Sequence, residues 1–457
     1  VSPLLVPLHG LGSRQDLPLP LPLAVAGAAV VLLLSFGVLA LAWRESRWGG
    51  VPGGRVLPTL SRWVDTPEAR LVPTVLGLFA FCWVGMALWL GQDRVTNPVF
   101  GFTYVWMWVG LVPLSLLLGP VWRRLNPLRG VLALAHRLGL PADGLRPLAA
   151  TTWQRLGSYP ASLGLLAFTW LELVQPDNNT LPVLRWWWLA WVVVVVGGGV
   201  IFGGRWVAAA DPFEAYAVLV SRASPWQRVD GRLALVNPLR HLATSQSPTG
   251  TWAVVAALLG GTAFDGFTGT SWWVRTVQAS DVPRVLWGTT GQLTMVVLVA
   301  VTFALGVRGL GRPERKGDGS FPVHGEREKN RPLSVQLDLL ATSVIPIVIG
   351  YAVAHYLSLL VLEGQRTLLN LSDPLGLGWN AFGTAELGIS LLWLDTPQIT
   401  ATIQLLAIVG GHLLGVLVAH ELSVLVLPPG RRVRGQVPML LVMIGYTCGG
   451  LLLLFSP

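Results

Sequence analysis

Ten apolar runs divide the chain, near 21–43, 72–91, 98–119, 159–175, 184–203, 251–267, 287–308, 335–361, 399–427 and 436–456, with shorter polar segments between them. Each is close to the about 20 apolar residues that carry a helix across a hydrocarbon core about 30 Å thick. The pattern predicts an all-α fold, a polytopic α-helical membrane protein with about ten transmembrane helices. The ninth run, Thr400 to Leu427, stands out because it carries His412, His420 and Glu421 inside an otherwise apolar stretch. Ionisable groups at membrane depth are costly, and they usually face a protein interior or mark a pathway.

The polar segments set the orientation. Segments alternate between arginine-rich and arginine-poor, and the inferred inner ones hold 26 of the 32 Arg and Lys residues. The positive-inside rule then puts both the N-terminus and the C-terminus outside. Four parts follow: an outer N-terminal segment over 1–20, a seven-span bundle with cytoplasmic interfacial helices over 21–308, a charged cytoplasmic linker over 309–334, and a three-span bundle over 335–457. The last includes an outer re-entrant or interfacial segment near 363–397. Val1 reads either as a translated start or as the residue left by signal cleavage.

One local device recurs. Asn97-Pro98, Asn126-Pro127, Asp211-Pro212, Asn237-Pro238 and Asp373-Pro374 each pair a side chain suited to the N-cap with a proline suited to the first helical turn. Each predicts a helix start. The stretches at 122–134 and 206–219 resemble one another around this device, as a weak internal duplication would.

Composition agrees with lipid as the solvent. Hydrophobic residues make up 53% and charged residues 12%, against roughly 25% charged in a soluble domain. The 22 tryptophans suit membrane interfaces. A net charge of +9 reads as loop orientation and as attraction of anionic lipids to the Arg-rich inner loops, including Arg123, Arg124, Arg129 and Arg240. Nucleic acid is not an expected partner. The two cysteines, Cys82 and Cys448, both fall inside spans and give neither a zinc spacing nor a disulfide framework.

Candidate chemistry sorts by depth. His412 falls near mid-span, whereas His420, Glu421 and Asp338 fall near the inner surface, where pairing with loop arginines is the simpler reading. Toward the outer face, Glu172, Asp265 and His355 enter from the fourth, sixth and eighth runs, with Tyr351 and Ser358 on the face of His355. Two carboxylates and an imidazole suit a divalent transition metal, or a general base beside one. His355, Asp265 and Glu172 are therefore the candidate catalytic residues, and His355, His412 and Asp265 the candidate metal ligands. The competing reading is structural: Asp265 caps a break at Gly266 and Gly269, Glu172 is solvated, and His355 bonds a neighbouring backbone. A haem is disfavoured because His355 and His412 differ in depth by about 10 Å at 1.5 Å per residue. His9, in the outer N-terminal segment, is open to a reading as an exposed metal ligand, although a lone histidine usually is not one; His136, His241 and His324 lie in cytoplasmic segments and receive no role. No GxSxG, Walker A, HExxH or CxxC pattern occurs.

Five stretches, HGLGSRQDLPLP (9–20), NPVFGFTYVWMWVGLVPLSLLLGPVWRRLNPLRG (97–130), FDGF (264–267), AHYLSLL (354–360) and GGHLLGVLVAHE (410–421), resemble an actinobacterial family of multi-pass membrane proteins often labelled fenitrothion hydrolase. The resemblance implies a bacterial plasma-membrane protein, a metal-assisted hydrolase of lipophilic organophosphorus-type esters, and a second membrane subunit as partner. The residues themselves serve two other readings equally well: an ion- or proton-coupled transporter, and an integral-membrane subunit of a larger, possibly redox, complex.

Overall fold

The computed structural model describes residues 19–48, 53–310, 333–393, 395–427 and 432–455. The N-terminal segment with His9 and the charged linker with His324 lie almost wholly outside these residues. The described chain is largely α-helical. In chain order the helices that matter here are α1 (Leu21–Ala42), α2 (Pro67–Leu90), α3 (Pro98–Leu118), α4 (Pro127–Arg137), α5 (Tyr159–Leu173), α6 (Leu181–Phe202), α7 (Arg205–Ala210) and α8 (Pro212–Ser221). After these come α9 (Thr251–Thr268), α10 (Ser271–Gln278), α11 (Arg284–Gly309), α12 (Leu333–Asn370), α13 (Pro397–Val426) and α14 (Val437–Phe455).

Eight of these helices are long and apolar enough to cross a membrane, and α9 with α10, bent by 74° at their junction, makes a ninth if the pair is one span. The chain therefore has the architecture of a multi-pass membrane protein. All ten apolar runs are helical, but α5 has 15 residues, or about 22 Å at 1.5 Å per residue, shorter than the core it would have to cross. The count by length is thus eight or nine among the described residues, below the expected ten.

Exposed apolar side chains such as Leu34, Val38, Val75, Phe79, Val297 and Leu298 cover the outer surface of α1, α2 and α11. At the centre lies α12, whose apolar stretch is 72% buried against 17–50% for the other candidate spans. Helices α12 and α13 run antiparallel and touch through glycine. A Cβ on Gly411 would sit 2.6 Å from the Pro346 carbonyl oxygen, and one on Gly415 2.9 Å from that of Ser343. Small residues let two membrane helices approach this closely.

Side-chain caps open four of the five expected helices. The side chains of Asn97, Asn126 and Asp211 accept from the backbone N–H two residues on at 3.0, 3.0 and 3.2 Å, and Asn237 accepts from Leu239 and Arg240. Asp373-Pro374 departs from the expectation. Asp373 accepts from the backbone N–H of Leu377 and Gly378 and closes a turn, and no helix occurs among the described residues between α12 and α13.

The expectation of an all-α fold needs one correction. A three-stranded antiparallel sheet of β1 (Arg55–Val56), β2 (Trp226–Val229) and β3 (Arg232–Leu235), in the order β1-β3-β2, lies within the loops. Its hairpin turns on Asp230 and Gly231, with φ of 49° and 76°, the pair of positive angles that a two-residue hairpin of this twist requires.

Candidate functional site

Three helices bring the expected outer residues together. In α9 the run GGTAFDG places small residues where neighbours must approach: a Cβ on Gly261 would lie 3.1 Å from Thr169 of α5, and one on Gly266 3.0 Å from the Tyr351 hydroxyl of α12. Asp265, between these glycines, thereby reaches α12. His355 Nε2 donates to Asp265 Oδ2 at 2.9 Å, and the Tyr356 hydroxyl donates to the same oxygen at 2.8 Å. The imidazole is held on two further sides by rings, with Tyr351 stacked at 5.6 Å and Tyr356 edge-on at 4.7 Å. Asp265, His355 and Tyr356 are all buried. The helix runs on through Gly266 to Thr268, and Asp265 turns its carboxylate toward α12 rather than toward the bend that follows at Gly269.

Glu172, on the last turn of α5, is also buried, and neither of its carboxylate oxygens has a hydrogen-bond partner. It lies close enough to Asp265, Tyr104, Tyr216 and Tyr356 to act on them electrostatically. The expectation that it is solvated does not hold, because α5 packs it inward behind Leu171 and Phe168. His355 Nδ1 is likewise buried without a partner. The centre therefore contains an imidazole nitrogen and a carboxyl group whose polar atoms are unanswered by protein, and such buried groups are uncommon without a functional reason.

Tyr356 and the residues of α3 escaped the sequence reading. Residues Phe102–Gly110 of α3 form a π-helix nine residues long, a widened geometry that tends to occur at functional sites. It carries Tyr104, whose hydroxyl donates to the Asn178 carbonyl, and Trp108, whose ring stands 6.4 Å from that of Tyr356. The aromatic run FTYVWMW was the available signal, but periodicity alone does not reveal a π-turn.

His412 sits elsewhere. Because Gly411 packs at Pro346, His412 lies about nine residues below His355 along α12, or about 13 Å at 1.5 Å per residue. Its Nδ1 donates to the Ile408 carbonyl at 2.8 Å, and Nε2 is buried without a partner. Ser358 accepts from Trp393 Nε1 at 3.2 Å and does not enter the site. Among the described residues no group of three or more His, Cys, Asp or Glu is gathered so as to hold a metal ion.

The inner residues have structural partners. Glu421 accepts from Trp43 Nε1 at 2.8 Å, Ser46 Oγ at 2.5 Å and the Trp48 backbone at 3.1 Å, and His420 bonds Gln436 and the Trp43 carbonyl. The expected arginine side chains are replaced by the turn that follows α1. Asp338 accepts from the backbone N–H of Gly250 and Trp252 and so caps α9. A second buried cluster joins α4, α6 and α8 with Trp122 of the segment after α3. Glu214 is gripped at 2.6 Å by both Nε and Nη2 of Arg129, while Asp211 accepts from Trp122, Asn126 and Trp191. Burial and the neighbouring Glu214 push the Asp211 carboxyl up to about 7.

Comparison with protein-family models, with curated proteins and with solved structures gives no match for this chain.

Proposed function

We propose that Glu172, Asp265, His355 and Tyr356 form a proton-handling site in the interior of a multi-pass membrane protein, and that the protein moves protons or proton-coupled ions across the bilayer. The observation that carries this reading is Glu172, a buried carboxyl with both oxygens unpartnered beside a hydrogen-bonded Asp–His pair. Leaving an ionised carboxylate unanswered in such a setting costs several kcal/mol, so the group stays neutral by carrying a proton. Intramembrane carboxyl and imidazole groups of this kind are typical relay elements.

The chemistry follows from the tautomer. With Nε2–H given to Asp265, His355 keeps a lone pair on Nδ1 that can take a proton, and Asp265 stabilises the imidazolium that results. Tyr356 holds Asp265 in place throughout. Glu172 is the neighbouring donor and acceptor. In proteoliposomes with a lumenal pH dye, the full chain is expected to dissipate an imposed pH gradient, and Glu172→Gln and Asp265→Asn to slow that dissipation to the level of empty vesicles. Equal rates for the native chain and empty vesicles would overturn the reading.

One observation favours a second reading, hydrolysis of a lipophilic ester. An imidazole oriented by a carboxylate, with Nδ1 unpartnered, is arranged as a general base. It would take a proton from a water whose oxygen bonds to phosphorus or carbon, while the leaving oxygen departs with a proton. Asp265 Oδ2 is already engaged by His355 and Tyr356, and no three-ligand set gathers among the described residues. No step is therefore routed through a metal. Hydrolysis of a neutral phosphotriester that is lost in His355→Gln would support this reading, and hydrolysis unchanged in that variant would remove it.

A further inference from the structure

A cavity of about 250 Å³ lies apart from the Asp265 site, toward the opposite end of α9 and at the ends of three other helices on the arginine-rich side. Arg123 follows α3, Arg205 opens α7 just past α6, Arg222 closes α8, and Thr251 opens α9; all four residues line it. Its apolar part is made by Val218, Leu219 and Val254. The cavity thus has a cationic rim and an apolar wall, and its place at helix ends corresponds to headgroup depth.

The charge balance favours an anion. The one carboxylate in the lining, Glu214, is already engaged by Arg123 and by the bidentate grip of Arg129. Arg222 gives its two terminal nitrogens to neutral groups, the Ser247 hydroxyl at 2.9 Å and the Gln246 carbonyl at 3.1 Å. Burial lowers Arg222 to about 10, with Asp338 pulling the other way. Among the described residues no carboxylate salt-bridges Arg205 or Arg222. Two guanidinium groups therefore line one cavity with no salt-bridged carboxylate among the described residues, Asp338 acting on Arg222 only at longer range, and guanidinium is the side chain best matched to phosphate oxygens.

We propose that this cavity binds the phosphate of an anionic amphiphile, with Arg205 and Arg222 on the phosphate and the apolar chain lying along Val218, Leu219 and Val254. The volume is below the roughly 300 Å³ at which pockets for whole small molecules begin, which fits a headgroup entering while the chains stay outside. The apolar wall separates this ligand from free phosphate, which would gain nothing from it.

The test uses the purified full chain in detergent, delipidated, with thermal unfolding followed as phosphatidylglycerol, phosphatidylcholine or inorganic phosphate is added. Phosphatidylglycerol is expected to raise the melting temperature where phosphatidylcholine does not. Arg205→Gln and Arg222→Gln should each need about tenfold more phosphatidylglycerol for the same effect, as the loss of one charge-assisted hydrogen bond implies, while Arg94→Gln, in a different loop, responds as the native chain does. The two lipids acting alike, or both cavity variants responding normally, would overturn the proposal. Inorganic phosphate protecting as well as the lipid would overturn the amphiphile in favour of the free anion. Because a variant that failed to fold would give no transition, the readout is taken only from variants that unfold cooperatively without lipid.

Discussion

Asn126 donates its side-chain N–H to Asp211 Oδ2 at 2.7 Å, so that two helix N-caps, each followed by proline, meet inside the protein. The stretches around them are the pair that resemble one another in sequence, and their contact ties α4 to α8. Asp211 is outside the candidate spans, and burial with Glu214 nearby raises its carboxyl to about 7. A carboxyl raised on folding contributes stability below its unfolded value, and that contribution is lost as pH rises through the folded value. The native chain in detergent is therefore expected to melt at progressively lower temperature between about pH 4 and about pH 7. Asp211→Asn should flatten this part of the curve, and an unchanged slope in the variant would contradict the assignment.

Glu421 anchors the turn after α1 through at least three donors. Glu421→Ala leaves the Trp43 indole and the Trp48 amide without acceptors, at about 1–3 kcal/mol for each buried donor left unpaired. Thermal unfolding should show a clear loss of stability. Proton movement by the folded fraction should stay at the native level, since Glu421 has no part in the Asp265 centre.

Gly411 keeps α12 and α13 together. A methyl group there would press on the Pro346 carbonyl at 2.6 Å, and Gly411→Leu would force the helices apart at a cost of about 1–3 kcal/mol. Since α12 carries both His355 and Tyr356, the variant should lose stability and site function together, as limited proteolysis and flux measurements would report.

Much of the architecture was legible because membrane helices advertise themselves by length and apolarity, and four of the five Asn/Asp-Pro pairs start helices as local chemistry dictates. Asp373 misled because the same side chain closes turns as readily as it caps helices. The sheet was hidden because its strands are two to four residues long and β1 lies far from β2 and β3 in sequence. Asp265 and His355 could be placed at one depth by counting residues, whereas the link to Tyr356 and the orphaned state of Glu172 depend on helix rotation, which counting does not give. Glu421 read as a partner for arginine, and its donors lie more than 370 residues away in the chain. No pattern in the ninth apolar run points to them.

Tyr356→Phe separates a fixed Asp265 from a merely present one. It removes the 2.8 Å hydrogen bond to Oδ2 while keeping the ring that packs on His355. Gradient dissipation should fall without a matching loss of folding, and removing one neutral hydrogen bond should cost about 1 kcal/mol of stability. A rate equal to that of the native chain would show that Asp265 needs no such support.

The central claim is that Glu172 is a buried carboxyl group that carries a proton. Infrared spectroscopy of the full chain in lipid tests it directly through the carbonyl stretch of a protonated carboxylic acid. The native protein is expected to show a band that is insensitive to mild acidification and absent in Glu172→Gln, with the band retained in Glu421→Gln. A native spectrum lacking any band that Glu172→Gln removes would mean that Glu172 is ionised, and would contradict the proton-handling site.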